Sequence, residues 1–431
     1  MKKFKDENRD DLKIEKWCQK TRDIQKMATI EQINEIKVHP NADKLELAMI
    51  KGFQCIVPKG QYNKSDIIIF IQPDYVLPAQ DTSNSSWADE YRKYAPKRIR
   101  AIKIRDQYSE GIVLQTNLLL TEMRNNVEYM TKKILDLSGN PSGNLKESVC
   151  SKITQAMLDE FCQTGSTMQG LLFQHMIGTD ISDLLGIRKY ISPDEGSNNN
   201  NSQNNSLTLP YNIPKTDEPR FETINLEKLY RTSSSTTISL SGETVDVSLK
   251  IDGQSMTVYY NIETDVFGIC SRRLQIDMSS KDPSDRRFIA HIERYDLENK
   301  LRAFCKENKV SLALRGESYG PGIQSFKLNP HCKLPPGFAL FSVFVFGGNL
   351  EDGTHGYQHK GSKFYFRDVG LALGIPCVPI LEENVFLSRQ LVEKYSVGIS
   401  KLPDGNFYEG CVIKGSSFSF KIINKHYDSQ K

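Results

Sequence analysis

The chain has 431 residues, of which 38% are hydrophobic and 25% charged, and its formal net charge at pH 7 is +3. This composition is typical of a soluble protein with room for two or three domains, and the small net charge excludes a basic signature over the whole protein. No apolar run reaches the roughly 20 residues that span a bilayer. Residues 1–26 form a charged leader without the apolar stretch of a secretory signal. We therefore expect a soluble, intracellular protein, in either the cytoplasm or the nucleus.

Residues 27–117 predict an all-β domain. Apolar strings such as LELAMIKG and DIIIFIQPDYVLP are separated by turn-rich strings such as HPNAD and KGQYNKSD. Many short strands at this spacing indicate a small β-barrel or sandwich.

One stretch of this domain, YRKYAPKRIRAIKIRDQYSEG, interleaves basic side chains with tyrosines. Positive charge beside aromatic rings is typical of a groove for single-stranded nucleic acid. The candidate RNA contacts are Arg98, Arg100, Lys103 and Arg105. A solvated strand edge protected by charges explains this stretch equally well.

Residues 118–206 predict a helical insertion followed by a linker. Apolar positions recur at helical spacing in NLLLTEMRNNVEYMTKKILDL, SKITQAMLDEFCQ and ISDLLGI. The run GSNNNNSQNNS, residues 196–206, cannot bury apolar surface and is interpreted as a disordered linker.

Residues 207–431 predict a mixed α+β domain, which makes the whole chain a multidomain α+β protein. Strands are expected around Lys250 and at 266–270, 310–316, 339–346, 409–414 and 418–423. Helices are expected at 284–308 and 384–395.

The string DVSLKIDGQSMTVYY, residues 246–260, places charges on an apolar strand. Val247, Leu249 and Ile251 alternate with Ser248, Lys250 and Asp252, so the two charged side chains share one face. Gly253 then permits a sharp turn into a second strand. Such a strand end presents either chemistry to a cleft or an ordinary surface salt bridge.

Several polar strings follow in order and favour the first alternative. They are SRR at 271–273, ALRGESYGPGIQ with Glu317, EGCVIKG with Glu409 and Lys414, and SFSFKIINKHY with Lys421 and Lys425. A lysine nucleophile must be a neutral amine, and we expect neighbouring cations and partial burial to lower its pKa. Glu409 and Lys414 have opposite strand parity, so simple alternation cannot bring both into one cleft.

Carboxylates, cations and one candidate nucleophile on consecutive strands fit attack by a lysine on the α-phosphorus of a nucleoside triphosphate, assisted by Mg²⁺. The sequence contains neither a GxxxxGK[ST] loop nor a GxGxxG string that opens a helix, so it does not support the P-loop and dinucleotide-binding alternatives.

The order KIDG, SRR, RGE, EGCVIK, FK resembles the covalent nucleotidyltransferase superfamily of polynucleotide ligases and mRNA capping enzymes. The strings IPKTDEPR, GESYGPGIQ and RIRAIKIRDQYSEGIVL are similar to those of ATP-dependent RNA ligases of the Deinococcus/Naegleria type. This resemblance covers about 28–117 and 177–427. It implies an OB-like β-barrel at 27–117, then an ATP-grasp-like adenylyltransferase domain with antiparallel sheets at 207–431. It also implies a monomer that uses ATP and Mg²⁺ or Mn²⁺ and acts on nicked or broken RNA in RNA repair.

The resemblance also implies roles for individual residues. Lys250 would carry AMP, and Asp252, Glu317 and Glu409 would hold the catalytic metal through water. Arg220 would touch RNA or nucleotide. The nucleotide-binding set would be Lys250, Asp252, Gly253, Arg272, Glu317, Glu409, Lys414 and Lys421.

Two departures affect this assignment. The chain has SRR where SRN is usual, so the role of Arg273 is open, and FSFKIIN has one lysine where relatives can have two. Whether Lys414 and Lys425 enter the site is also open.

Two alternatives to an RNA ligase remain. A DNA ligase or capping enzyme would usually carry its OB module after the catalytic domain, which argues against that interpretation. A nucleic-acid-binding protein with an inactive nucleotidyltransferase domain would commonly have lost one of the acidic or lysine residues.

Overall fold

The computed structural model describes residues 27–79, 86–118, 173–174, 176–190, 209–224, 244–348 and 355–431. The predicted leader, most of the predicted helical insertion and the Asn-rich run lie outside these residues. The chain divides into two compact units, within residues 25–191 and 192–431. No helix in the described ranges is long and apolar enough to cross a membrane.

The first unit is built mainly from short antiparallel strands. They are β1 Ala28–Gln32, β2 Glu35–Val38, β3 Leu45–Ile50, β4 Phe53–Pro58, β5 Ile67–Ile71, β6 Tyr75–Val76, β7 Ile102–Ile104, β8 Gln107–Ser109, β9 Ile112–Gln115 and β10 Arg188–Lys189, with one helix, α1, at Ser86–Arg92. Two three-stranded sheets have the orders β1-β5-β9 and β2-β3-β4, while β7 pairs with β8 and β6 with β10. The described strands therefore form separate small sheets and do not close into one barrel.

Strand β5 lies at the centre of this unit. Its sequence IIIFI is apolar on both faces, and Ile69 and Ile71 belong to one core cluster while Ile68 and Phe70 belong to another. A strand with apolar residues on both faces can pack between two cores. This explains why the string lacks the alternation of a strand with one solvated face.

The described residues 176–190 belong to this first unit. Ile181, Leu185 and Ile187 pack into the same core cluster as β1, and β10 pairs with β6. The string ISDLLGI forms turns here, so the predicted helix at this string is wrong. Because each short turn buries its apolar residues against the sheet, a helix is not needed to remove them from water.

The second unit contains ten strands and five α-helices in its described residues. The strands are β11 Thr244–Lys250, β12 Gln254–Asn261, β13 Val266–Cys270, β14 Gln275–Ile276, β15 Val310–Tyr319, β16 Gly337–Gly348, β17 Gly356–Tyr357, β18 Ile380–Phe386, β19 Gly410–Lys414 and β20 Ser419–Ile423. The helices are α2 Pro283–Tyr295, α3 Leu297–Asn308, α4 Phe366–Leu373, α5 Arg389–Glu393 and α6 Lys425–Asp428.

These strands form two antiparallel sheets. One has the order β18-β11-β19-β20, and the other has the order β14-β13-β12-β15-β16-β17. One large apolar core contains residues from both sheets together with residues of α2, α3 and α4. Strand β11 lies in the first sheet and β12 in the second, so the short link 251–253 joins the two sheets.

Two predicted helices differ from the observed ones. The predicted helix 284–308 is two helices, because Asp296 adopts a left-handed conformation (φ 51°) that ends α2 and precedes α3. The predicted helix 384–395 begins as a strand, since Val385 pairs with Val245 of β11, and helix α5 follows only after the N-cap Ser388. Edge pairing to a buried strand outweighs local helical preference there.

Candidate active site

The site is centred on Lys250, the last residue of β11. Lys250 pairs with Gly410 across the antiparallel ladder, which places Glu409, just before β19, beside it. The Lys250 Nζ lies 2.5 Å from Glu409 Oε2. The lysine side chain is 27% exposed and the glutamate 16%, so both remain reachable from solvent.

The surroundings of Lys250 favour its charged form. Burial disfavours the ammonium, but the carboxylates of Glu409, Glu317 and Asp252 outweigh burial and raise the pKa of Lys250. We expected neighbouring cations to lower the pKa of Lys250. That expectation is wrong, because the charged side chains that act on it in this structure are carboxylates, which raise it. Carboxylates surround the amine, and they must be neutralised before it can become a nucleophile.

Glu317 reaches the site from β15, the neighbour of β12 in the second sheet. Burial raises the pKa of Glu317 to about 8; nearby Lys250 opposes this shift, while Glu409 and Asp252 add to it. Gly253 permits the close approach of the turn to β15, because a Cβ at this position would lie 2.4 Å from the carbonyl oxygen of Ser318.

Asp252 is the most enclosed carboxylate of the site. Its Oδ2 accepts hydrogen bonds from the Tyr427 hydroxyl at 2.7 Å and from Lys431 Nζ at 2.6 Å. Its backbone carbonyl accepts from Asn329 Nδ2 at 2.9 Å. Burial raises the pKa of Tyr427, and Asp252 and Glu409 raise it further, so the hydroxyl stays protonated and donates.

The carboxylate set fits a divalent cation that is held mainly through water. Carboxylate oxygens are ligands that Mg²⁺ and Mn²⁺ prefer, and Mg²⁺ usually keeps several waters while binding one or two carboxylates and substrate phosphates. Among the described residues, no three acidic, histidine or cysteine side chains converge closely enough to bind a metal directly. Asp252, Glu317 and Glu409 are the carboxylates that could hold such a cation through bound water.

Two of the predicted phosphate-binding cations converge on a carboxylate that the sequence did not single out. Arg272 Nη2 lies 3.4 Å from Asp217 Oδ2, and Lys421 Nζ lies 3.4 Å from Asp217 Oδ1. Asp217 belongs to IPKTDEPR, which lies along β20, where the backbone nitrogen of Lys421 donates to the Pro219 carbonyl at 2.8 Å. An acidic side chain thus lies between two groups suited to bind phosphate.

The remaining predicted residues of this unit lie at different depths. Arg220 is buried next to the backbone of Lys421, and Lys425 is buried in α6. Lys414 pairs with Asp246, four residues from Lys250, or about 13 Å along the strand. Its Nζ lies over the Phe366 ring at 5.1 Å. The pairing puts Lys414 on the sheet face of Lys250, so distance along the strand, and not strand parity, separates the two lysines.

Arg273 is half-buried beside Arg272. Burial, followed by the charges of Arg273 and Arg272, lowers the pKa of Lys215. Arg273 therefore adds to the positive charge at this edge of the site.

The predicted basic residues of the first unit are not equivalent. Arg98 is mainly structural, since it forms an ion pair with Asp74 and lies 5.8 Å from the Tyr190 ring centroid. Lys103 and Arg105 are exposed and Arg100 is half-buried, so these three retain surface charge.

Sequence reasoning missed Tyr427, Lys431 and Asp217 as parts of the site. Asp217 lies within IPKTDEPR, and this quoted motif was the available signal. Tyr427 and Lys431 carry no recognisable pattern, because their contact with Asp252 joins residues 175 and 179 positions apart.

Comparison with known proteins agrees with this architecture. Residues 243–423 match the family model described as RNA ligase, and residues 27–116 match a model described as an OB-fold domain. A comparison with curated protein sequences gave no significant match.

Three solved structures of a Naegleria gruberi RNA ligase illustrate the shared fold. Variants of that protein with AMP and Mn, and with ATP and Mn, are each 20% identical, with a TM-score of 0.61, and each match covers 94% of this chain and 99% of that one. Its structure with PPi is 20% identical with a TM-score of 0.60, and the match covers 94% of this chain and 98% of that one.

The likeness extends over both units, and the family match covers the strands that carry Lys250, Glu317 and Glu409. The match to the RNA ligase model therefore extends over residues 243–423, and the match to an OB-fold domain model precedes it at residues 27–116.

Proposed function

We propose that the protein is an ATP-dependent RNA ligase that joins RNA 3′-OH and 5′-phosphate ends, with Lys250 as the residue that carries AMP. The observation that carries this proposal is the Lys250–Glu409 ion pair inside a set of three carboxylates. It lies in a domain that matches the RNA ligase family. An ordinary surface salt bridge would not gather further carboxylates around one amine.

The first step is transfer of AMP to the protein. The neutral amine of Lys250 attacks the α-phosphorus of ATP, an Nζ–P bond forms, the bond to the bridging oxygen breaks, and pyrophosphate leaves. Arg272 and Lys421 lie on the same side of the site and are the groups that would bind the phosphates. The ammonium proton must leave before attack, and Glu409 is the acceptor in contact with it.

Two further steps complete the sealing. An oxygen of the RNA 5′-phosphate attacks the phosphorus of lysyl-AMP, which breaks the Nζ–P bond and produces a 5′-adenylylated RNA. The RNA 3′-OH then attacks the 5′-phosphate and AMP leaves. Arg220 in the second unit, and Arg100, Lys103 and Arg105 in the first, are the proposed RNA contacts.

A divalent cation held through water by Asp252, Glu317 and Glu409 would neutralise charge that develops on the phosphates. The same three carboxylates raise the pKa of Lys250, so any positive charge that they bind also favours the neutral amine. All these groups come from one chain, which is consistent with action as a monomer.

Labelling with α-³²P-ATP tests the first step. We expect a labelled protein band on a denaturing gel in the presence of Mg²⁺ or Mn²⁺, and we expect the Lys250→Ala variant to lose it. Lys327→Ala, which removes an exposed lysine, is the matched control and should label normally.

Two outcomes would contradict the proposal. Label from α-³²P-GTP alone would indicate a capping-type enzyme. No label from either nucleotide, with folded protein, would indicate a binding module that has kept the ligase fold without its chemistry.

A sealing assay with a 5′-³²P-labelled nicked RNA tests the later steps. A combined Arg100, Lys103 and Arg105 to Ala variant should lose sealing while it keeps self-adenylation, because these residues belong to the first unit, whereas Lys250 and the groups around it belong to the second. Equal loss of both activities in a folded protein would argue against an RNA-binding role for this surface.

A further inference from the structure

We propose that Lys431 is an internal counter-ion between Asp252 and Glu409, which a divalent cation must displace in order to bind. The identity of the cation rests on the proposed ligase function. The position of the ammonium group rests only on contacts within the chain.

The Lys431 ammonium is in close contact with one carboxylate and near a second. Its Nζ lies 2.7 and 2.6 Å from the two oxygens of Asp252 and 3.9 Å from Glu409 Oε1. Lys250 contacts the other oxygen of Glu409 at 2.5 Å. Two ammonium groups therefore occupy the oxygens that a cation, or its bound waters, would need.

The backbone around Lys431 is anchored to the same site. The backbone nitrogen of Asn424 donates to the Glu409 carbonyl at 2.9 Å, and the Asn424 side chain caps α6. Tyr427 is fully buried and packs edge-on against Phe326, with ring centroids 5.2 Å apart. The position of Lys431 next to Asp252 therefore follows from the packing of α6.

The side chain of Lys431 nevertheless has freedom to leave. It is 21% exposed, whereas the Asp252 side chain is 6% exposed. A lysine stem has four rotatable carbons, and its ammonium is strongly hydrated, so the group can move into solvent when a stronger cation arrives. The Asp252 carboxylate cannot follow, because Asp252 is buried and accepts a hydrogen bond from the Tyr427 hydroxyl.

The sign of the effect follows from charge. A +1 group within a few ångströms of the cation position opposes a +2 ion, and its removal strengthens metal binding in a partly buried site. Substitution by neutral glutamine should therefore lower the Kd for Mn²⁺ at least about fivefold. Lys431→Arg keeps the charge and should stay close to the wild-type affinity.

The test is Mn²⁺ binding to the full chain without nucleotide, measured by electron paramagnetic resonance of free Mn²⁺. The variants are Lys431→Gln, Lys431→Arg and Lys327→Gln, the last as an exposed-lysine control. The Mn²⁺ binding that is lost in the Glu409→Gln variant is assigned to this site. Tighter binding in Lys431→Gln alone supports the counter-ion role; unchanged, weaker or absent binding overturns it.

A second measurement uses the wild-type protein and does not depend on a variant that folds. Mg²⁺ should release Lys431 and increase its acylation by a small amine reagent, as read by peptide mass spectrometry, with Lys327 as the internal reference. Acylation of Lys431 that is unchanged or reduced by Mg²⁺ overturns the proposal.

Labelling of the same preparations with α-³²P-ATP keeps the two proposals apart. Absence of adenylate together with tighter Mn²⁺ binding in Lys431→Gln would refute the ligase function and support the counter-ion. Normal adenylation together with unchanged Mn²⁺ binding would support the ligase function and overturn the counter-ion.

Discussion

Replacement of Glu409 by glutamine should have opposite effects on two reactions of Lys250. Of the groups that raise the pKa of Lys250, Glu409 has the largest effect, through both its charge and its 2.5 Å contact. Glu409→Gln removes that charge, so the amine should be neutral more often and react faster with a small neutral electrophile. Adenylation by ATP should fall, because a carboxylate proposed to hold the metal's water has been lost.

The size of the increase in the neutral fraction of Lys250 follows from the strength of its contact with Glu409. A hydrogen bond between charged groups contributes about 1.5–3 kcal/mol to stability. Because one pKa unit corresponds to about 1.36 kcal/mol, the neutral fraction of Lys250 should rise about 10- to 100-fold at a fixed pH below its pKa. Both side chains are less than one third exposed, so solvent screening does not remove the effect.

The assay is a short pulse of a neutral acylating reagent on nucleotide-free protein, followed by mass spectrometry of the Lys250 peptide. The exposed Lys327 is the internal reference, and Glu307→Gln, which removes an exposed carboxylate, is the control variant. If Lys250 in Glu409→Gln reacts at the wild-type rate, then Glu409 does not suppress the nucleophile and the electrostatic reasoning fails.

Three further predictions address the rest of the site. Asp217→Asn should tighten pyrophosphate binding about two- to fivefold in calorimetry, because it removes a carboxylate that competes for Arg272 and Lys421; weaker binding would show that Asp217 helps to form the phosphate site. The pKa of Glu317 is raised on folding from 4.5 to about 8, so its contribution to stability is complete below pH 4.5 and is lost as pH rises through 8. Urea unfolding of Glu317→Gln should therefore show a shallower loss of stability over this range, and identical slopes would contradict the burial of the group. Gly253→Ala should lower the free energy of unfolding by about 1–3 kcal/mol, because the added carbon would lie 2.4 Å from a strand carbonyl; an unchanged urea midpoint would show that the turn can relax.

Local patterns were sufficient to predict much of the second unit. The strands predicted at 266–270, 310–316, 339–346, 409–414 and 418–423 each fall on an observed strand, because period-2 alternation and β-branched runs act over a few residues. The first unit was also predicted to be β-rich, although its described strands form separate small sheets. Errors arose where a distant partner decides the conformation, as at β18, which pairs with β11 across more than 130 residues.

Motif order identified the central residues of the site. Lys250 and Asp252 come from one strand end, and Glu317 and Glu409 come from quoted strings on later strands. Alternation separated Lys414 from Glu409, but it did not decide which of them reaches Lys250. Lys414 pairs with Asp246 and so shares the sheet face of Lys250, whereas Glu409, just before β19, contacts Lys250 itself.

The sequence by itself determined which side chains the strands present, since that choice depends on local periodicity. Only the tertiary structure decided that Lys431 and Tyr427 contact Asp252, that Asp217 lies between Arg272 and Lys421, and that the pKa of Lys250 is raised. The physical reason is that Coulomb energies and burial depend on distance in space, and these groups lie up to 179 positions apart in the chain.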